Sequence, residues 1–138
     1  MMGAGFIGSM HSDIYARLPN ADLTAVLIRD VKKAEAVRDR TGSKVFCDID
    51  SFFDFGGFDI LDICLPTYLH EQAILRSLSE GKHVLCEKPL TLGVASADRI
   101  RSALAQTDRK LMVAHVLRFW PQYRKIQQLV QTGTIGAV

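Results

Sequence analysis

The 138-residue sequence has little of what would mark a stapled, membrane-bound or strongly charged protein. Its three cysteines, Cys47, Cys64 and Cys86, show no C-x-x-C spacing, and two of them lie in apolar runs that read as buried strands. A disulfide framework is therefore not expected, no metal is expected, and a reducing cytoplasm fits best. Charge of one sign is not in excess: 17 basic residues face 15 acidic ones, giving a net charge of +2 that is scattered along the chain. Without a basic patch, nucleic acid and anionic membrane are not expected partners, which leaves small molecules and protein. No run approaches the roughly 18 apolar residues of a membrane span, and the N-terminus lacks the charged and long apolar regions of a signal peptide. Repeats, low-complexity tracts and linkers are also missing.

What is present is apolar periodicity that keeps changing type. Ile7, Met10, Ile14 and Leu18 recur at helical spacing, which predicts a helix from residue 6 to about 18, stopped by Pro19 and Asn20. Residues 23–28 form a short apolar run, the pattern of a strand covered on both faces, and Val31, Ala34 and Val37 return to helical spacing before Thr41 and Gly42. Further strands are expected at 60–65, 83–86 and 111–116, separated by helices at 71–78 and 94–104. Such alternation predicts an α/β fold, a parallel sheet with helices on both faces. The composition, 48% hydrophobic, suits one core that buries roughly two-thirds of the unfolded surface.

At the start of this pattern, Gly3-Ala4-Gly5-Phe6-Ile7-Gly8 fits G-x-G-x-x-G opening a helix. The first glycine permits a tight turn, the second lets a pyrophosphate approach the backbone, and the third permits close packing of helix on strand. Alone the motif is weak, because glycine turns also arise for conformational reasons alone. Its context strengthens it: a second strand ends about 20 residues later, where an adenosine ribose should lie. The predicted fold is accordingly a Rossmann-type doubly wound sheet over residues 1–120, binding a dinucleotide through Gly3, Gly5, Phe6, Ile7 and Gly8.

The second strand ends Leu27-Ile28-Arg29-Asp30. An acid at position 28 would accept hydrogen bonds from both ribose hydroxyls; Ile28 cannot, whereas Arg29 can pair with a 2′-phosphate, so NADP is favoured over NAD. Arg29 also reads as a solvated loop arginine, with Asp30 capping the next helix, and the two readings are compatible. Two more constellations follow strands: Cys64-Leu65-Pro66-Thr67-Tyr68-Leu69-His70, and Cys86-Glu87-Lys88-Pro89. Ligands in open parallel sheets bind at those carboxyl ends. Asp62, inside a strand, reads as a satisfied buried carboxylate rather than an acid catalyst.

Taken with the phrase Gly81-Lys82-His83-Val84-Leu85-Cys86-Glu87-Lys88-Pro89 and with His115-x-x-Arg118-Phe119-x-Pro121-x-Tyr123, these motifs resemble, in order and spacing, the Gfo/Idh/MocA oxidoreductases of the glucose-fructose oxidoreductase and inositol dehydrogenase type. The resemblance implies an NAD(P)-dependent dehydrogenase that transfers hydride between nicotinamide and a hydroxyl or carbonyl of a sugar, cyclitol or related polyol. It makes Lys88 the catalytic lysine of the Glu-Lys-Pro motif. An ammonium beside the reacting hydroxyl can donate to the developing alkoxide and assist proton transfer.

Under the same resemblance Pro66, Thr67, His70 and Glu87 join the cofactor-binding set. His70 reads equally as a helix cap, and Glu87 as an ion-pairing or capping residue. His115 and Arg118 are candidate substrate residues, while Phe119, Trp120 and Tyr123 most simply pack a link to another domain.

Pro121 suits the first turn of a last helix, continued by Tyr123, Ile126, Leu129 and Val130 until Gly133 can cap it. Residues 121–138 are thus expected to be a linking helix and the start of a C-terminal domain. The family's second domain carries the substrate pocket, an aspartate and a histidine about four residues apart, and usually the homo-oligomer interface. The first strand, before Gly3, is reduced to Met1-Met2. These ends lead to the expectation of a fragment whose central strand is truncated, whose neighbouring strands carry unpaired backbone groups, and which neither folds nor turns over alone. One piece of a split enzyme, and a non-catalytic dinucleotide-binding or interaction module, are the alternatives.

Overall fold

The computed structural model describes residues 1–136; Ala137 and Val138, at the end of the expected linking segment, lie outside the described residues. Five strands, β1 (Ala25–Leu27), β2 (Lys44–Phe46), β3 (Ile60–Ile63), β4 (His83–Cys86) and β5 (Leu111–Val113), alternate with helices α1 (Phe6–Tyr15), α2 (Ala34–Thr41), α3 (Ile49–Phe55), α4 (His70–Ser79), α5 (Val94–Leu104) and α6 (Pro121–Gln131). Every pairing is parallel: β1 with β2, β3 with β4, and β4 with β5. Parallel neighbours need crossovers, and the intervening helices supply them.

The two-strand and three-strand groups are joined through Met1 and Met2. Met2 bridges Leu27 on one side and Ile63 on the other, both in parallel. The Met2 N–H donates to the Asp62 carbonyl at 2.8 Å, the Cys64 N–H to the Met2 carbonyl at 2.8 Å, the Leu27 N–H to the Met1 carbonyl at 2.9 Å, and the Gly3 N–H to the Leu27 carbonyl at 2.9 Å. The spatial order is therefore β2, β1, Met1–Met2, β3, β4, β5. This corrects the expectation that truncation strips the neighbouring strands of their partners. Their carboxyl halves, which carry the ligand-facing ends, are paired, and Met2 is only 1% exposed.

Alternation along each strand sorts side chains to two faces. Leu61 and Ile63 of β3 and Val84 and Cys86 of β4 point to a core completed by Phe52 and Phe53 of α3, Ala73, Ile74 and Leu78 of α4, and Ile100 of α5. Met1, Val26 and Ile28 pack on the opposite face against Val37 of α2. Helix α1 lies on that second face, where its His11 and Tyr15 side chains reach Asp62. Helices on both faces make the fold doubly wound.

Several boundaries differ from expectation, among them that of β3, which stops at Ile63, short of residue 65. Helix α1 ends at Tyr15, before Leu18, because Ala16 and the residues after it close into turns. Strand β1 is three residues long, and β5 stops at Val113, where Val116–Phe119 instead forms a 3-10 segment. Strand β2 and helix α3 were not foreseen at all. Helix α6 forms as expected, with Pro121 in its first turn, and buries none of its residues.

Candidate functional site

The turn between Met2 and α1 is built by its glycines. Gly3 has φ +94°, and a Cβ there would sit 2.6 Å from the Cys64 carbonyl oxygen; one on Gly8 would sit 2.1 Å from the Gly3 oxygen. These two positions exclude side chains so that the turn can close on β3 and on α1. Gly5 differs, since a Cβ there would meet nothing within 4 Å. It is the N-cap of α1 and supplies no side-chain cap, which leaves the first-turn N–H groups without a capping side chain beside that open space. A cradle of free donors at a helix N-terminus, with room above the backbone, fits a pyrophosphate.

A cleft of about 810 Å³ opens from this turn. Its walls are Gly3 to Gly5, the strand end Leu27 to Asp30, and Leu65, Pro66 and Tyr68 beyond β3; Arg29, Lys33 and Arg76 are its cations. Ile28 is buried and offers no acceptor. The Asp30 carboxylate accepts from the Lys32 N–H at 3.1 Å, capping the turn that precedes α2 as the sequence suggested. Arg29 and Lys33 stay exposed on the cleft wall. Phe6 is 80% exposed at the start of α1, Ile7 is half-buried, and neither lines this cleft.

Of the residues after β3, Pro66 lines the cleft and Thr67 is half-buried in the 3-10 turn Thr67–Leu69. His70 is 1% exposed. Its Nε2 lies 2.8 Å from the Leu65 carbonyl and its Nδ1 3.0 Å from the Pro89 carbonyl. The ring thus ties the loop after β3 to the loop after β4 and faces neither cleft wall nor solvent.

Glu87 is likewise turned inward. Its Oε2 accepts from the Lys88 N–H at 3.1 Å, and its Oε1 lies 3.4 Å from His11 Nε2. The other nitrogen of His11, Nδ1, is 2.8 Å from Asp62 Oδ2, which also accepts from the Tyr15 hydroxyl at 2.9 Å. The hydrogen bond to Asp62 raises the His11 pKa above its usual 6.5, against desolvation. Burial, and then the Asp62 charge, push the Tyr15 hydroxyl and the Cys64 thiol up. Asp62 is thus a satisfied buried carboxylate.

Lys88, exposed, lines a second depression of about 560 Å³ together with Pro89, His115, Val116, Leu117 and Arg118. The three cationic or titratable candidates Lys88, His115 and Arg118 therefore share one wall. Phe119, Trp120 and Tyr123 are exposed, with the Trp120 and Tyr123 rings edge to face at 6.3 Å.

Three site residues escaped the sequence reading. Lys33 lies one helical turn past Arg29, a spacing that places both on one side. His11 and Tyr15, four residues apart on α1, belong to no motif and to none of the apolar positions that mark the helix. A carboxylate inside the apolar run 60–65 was the signal available for them, because a buried charge demands a partner.

Comparison with known proteins agrees with this geometry. Residues 1–115 match the family model GFO_IDH_MocA, described as an oxidoreductase family with an NAD-binding Rossmann fold. An inositol 2-dehydrogenase of Rhizobium meliloti is 34% identical over 100% of the chain and 42% of its own length. One from Rubrobacter xylanophilus is 32% identical over 99% of the chain and 40% of its own length. Among solved structures, scyllo-inositol dehydrogenase from Lactobacillus casei with bound NAD(H) and scyllo-inositol superposes with a TM-score of 0.91 at 30% identity, covering 98% of this chain and 41% of that one. A 3-ketoreductase from Actinomadura kijaniata in complex with NADP and TDP-benzene gives 0.87 at 26% identity, covering 96% and 41%. The chain spans about 40% of the length of these relatives. With five-sixths of its residues under the family model and the fold matched throughout, the chain belongs to the Gfo/Idh/MocA oxidoreductase family, of which it forms the NAD-binding Rossmann region.

Proposed function

We propose that this chain is the nucleotide-binding part of an NADP-preferring dehydrogenase that moves hydride between nicotinamide and a hydroxyl or carbonyl of a cyclitol, sugar or related polyol. The observation that carries the reading is placement: the open glycine turn after Met2 and Lys88 after β4 stand at the same, carboxyl edge of one sheet, on either side of β3. The relatives' named substrates and cofactors, inositols with NAD(H) and a TDP compound with NADP, supply the chemical class.

Gly5 and the first turn of α1 receive the pyrophosphate, and Gly3 and Gly8 hold the backbone close enough for it. Arg29, with Lys33 beside it on the cleft wall, takes the 2′-phosphate; Ile28 gives no acceptor for an unphosphorylated ribose. Pro66 and Thr67 shape the wall toward the nicotinamide ribose. When bound, the nicotinamide ring supplies the hydride chemistry. Lys88 holds or releases the proton of the substrate hydroxyl through its Nζ, and His115 and Arg118, on the same wall, orient substrate oxygens. His70 and Glu87 act from behind, as braces of the two loops, rather than by touching the cofactor. Residues 1–120 are the nucleotide domain and 121–138 the link to a substrate and oligomerisation domain, as part of a soluble cytoplasmic homo-oligomer.

The test combines binding with turnover. NADPH fluorescence titration of the chain should show saturable binding that Arg29→Ala weakens about tenfold, a loss of about 1.4 kcal/mol, while leaving NADH within about twofold. In the full-length protein, a polyol panel should show turnover that Lys88→Met lowers at least about a hundredfold. Equal losses of NADH and NADPH would refute the cofactor preference. Binding without turnover in any full-length form would favour the non-catalytic module.

A further inference from the structure

A largely buried cluster of polar side chains lies outside the lining of both clefts. It runs Tyr15 hydroxyl, Asp62 carboxylate, His11 ring, Glu87 carboxylate, Lys88 N–H, with separations of 2.9, 2.8, 3.4 and 3.1 Å. Three elements contribute: α1 gives Tyr15 and His11, β3 gives Asp62, and the turn after β4 gives Glu87 and Lys88. Asp62 and Glu87 are 4% and 7% exposed, so each carboxylate depends on partners inside the protein. Each nitrogen of His11 faces one of them. A ring between two carboxylate acceptors satisfies both only when both of its nitrogens carry protons.

We propose that His11 is a positioning residue for the Glu-Lys-Pro turn: an imidazolium held by Asp62, it fixes the Glu87 carboxylate, which holds the Lys88 backbone and so sets where the lysine projects. The alternative source of order in this turn, His70, grips the Pro89 and Leu65 carbonyls and does not touch Glu87 or Lys88. Nothing else among the described residues is placed within hydrogen-bonding or ion-pairing distance of the Glu87 carboxylate than His11 and Lys88 N–H. The groups facing His11 are Asp62 and Cys64 from the β3 side and Glu87 from the β4 side, with Tyr15 reaching it through Asp62. The raised His11 pKa agrees with this arrangement. Consequences for turnover rest on the reading of Lys88 given above; the coupling itself does not.

The test is therefore made without turnover, on the 138-residue chain by NMR. The His11 ring and the backbone amides of Lys88, Val84 and Ile74 are followed across pH 5 to 9 in the wild type, His11→Asn and Glu87→Gln. The Lys88 amide shift should titrate with the midpoint of His11 in the wild type and lose that titration in both variants. Lys88 amide exchange should become about tenfold faster in the variants, while Val84 and Ile74, in the sheet and α4 core, stay within about twofold. If His11→Asn fails to fold, Glu87→Gln and the wild-type pH profile decide. A Lys88 amide indifferent to the His11 titration would overturn the proposal. So would variants in which all three amides quicken together, since that is general destabilisation. Failure of the dehydrogenase reading is visible elsewhere, as full-length turnover that survives Lys88→Met.

Discussion

Glycines of one motif do different work, and single substitutions separate them. Gly8→Ala would drive a methyl to 2.1 Å from the Gly3 oxygen, a contact that only backbone movement relieves. It should cost about 1–3 kcal/mol or more in urea denaturation. Gly5→Ala places its methyl in open space at φ −73°, so stability should change by less than about 1 kcal/mol. The same methyl occupies the approach to the first-turn N–H groups, so NADPH affinity should fall at least about tenfold. A Gly5→Ala chain that binds normally would show that phosphate does not approach there. His11 makes a second residue-scale prediction, of pH dependence. Its folded pKa is raised, so its contribution is complete below the unfolded value of 6.5 and is lost as pH rises through the folded value. Urea midpoints should fall between pH 6 and pH 9 from this source, and the fall should shrink in Asp62→Asn, where the principal cause of the shift is gone.

At the scale of elements, α3 and α6 are opposites. Phe52 of α3 is fully buried and meets Phe46 of β2 edge to face at 5.8 Å, Phe53 at 5.5 Å and Phe58 at 4.9 Å. Phe52→Ala should cost about 3–5 kcal/mol, a large part of the roughly 5–15 kcal/mol that a domain possesses. Helix α6 leaves Tyr123, Ile126 and Val130 exposed, buries none of its residues and packs chiefly on the 3-10 segment before it, so its amides should exchange orders of magnitude faster than those of α4. Legibility followed the same divide. Helices α4, α5 and α6 and strand β4 were readable because their periods are long or their apolar runs uninterrupted. The β2–α3 unit was not, since Lys44–Phe46 has one exposed and two half-buried side chains and α3 is only seven residues with aromatics clustered rather than spaced. In the candidate site, the position of the glycine turn, Arg29, Pro66 and Lys88 at the carboxyl edge was legible because strand ends in a parallel sheet face a common edge. The inward turn of Glu87 and His70 was not, because it depends on partners 76 and 19 residues away along the chain, His11 and Pro89.

For the whole molecule the decisive feature is the seam at Met1–Met2. Two residues connect the β1–β2 pair to the β3–β5 group, and the cleft opens along that seam with one wall from each side: Leu27 to Asp30 from the first, Leu65, Pro66 and Tyr68 from the second. A dinucleotide seated on Gly3 and Gly5 would touch both walls at once, which would link binding to the union of the two halves and not to a loop alone. At a free concentration of 100 times its Kd, such a ligand stabilises by about 2.7 kcal/mol. Urea denaturation with and without NADPH should show that gain, and exchange of the β1 amides, Val26 and Leu27, should slow along with those of Leu61 and Ile63. Protection confined to the loops after β1 and β3, with the strand amides unchanged, would mean that the halves are already locked by Met1 and Met2 and that the ligand only decorates the edge. Slowing on both sides of the seam would make cofactor binding part of what holds the sheet together.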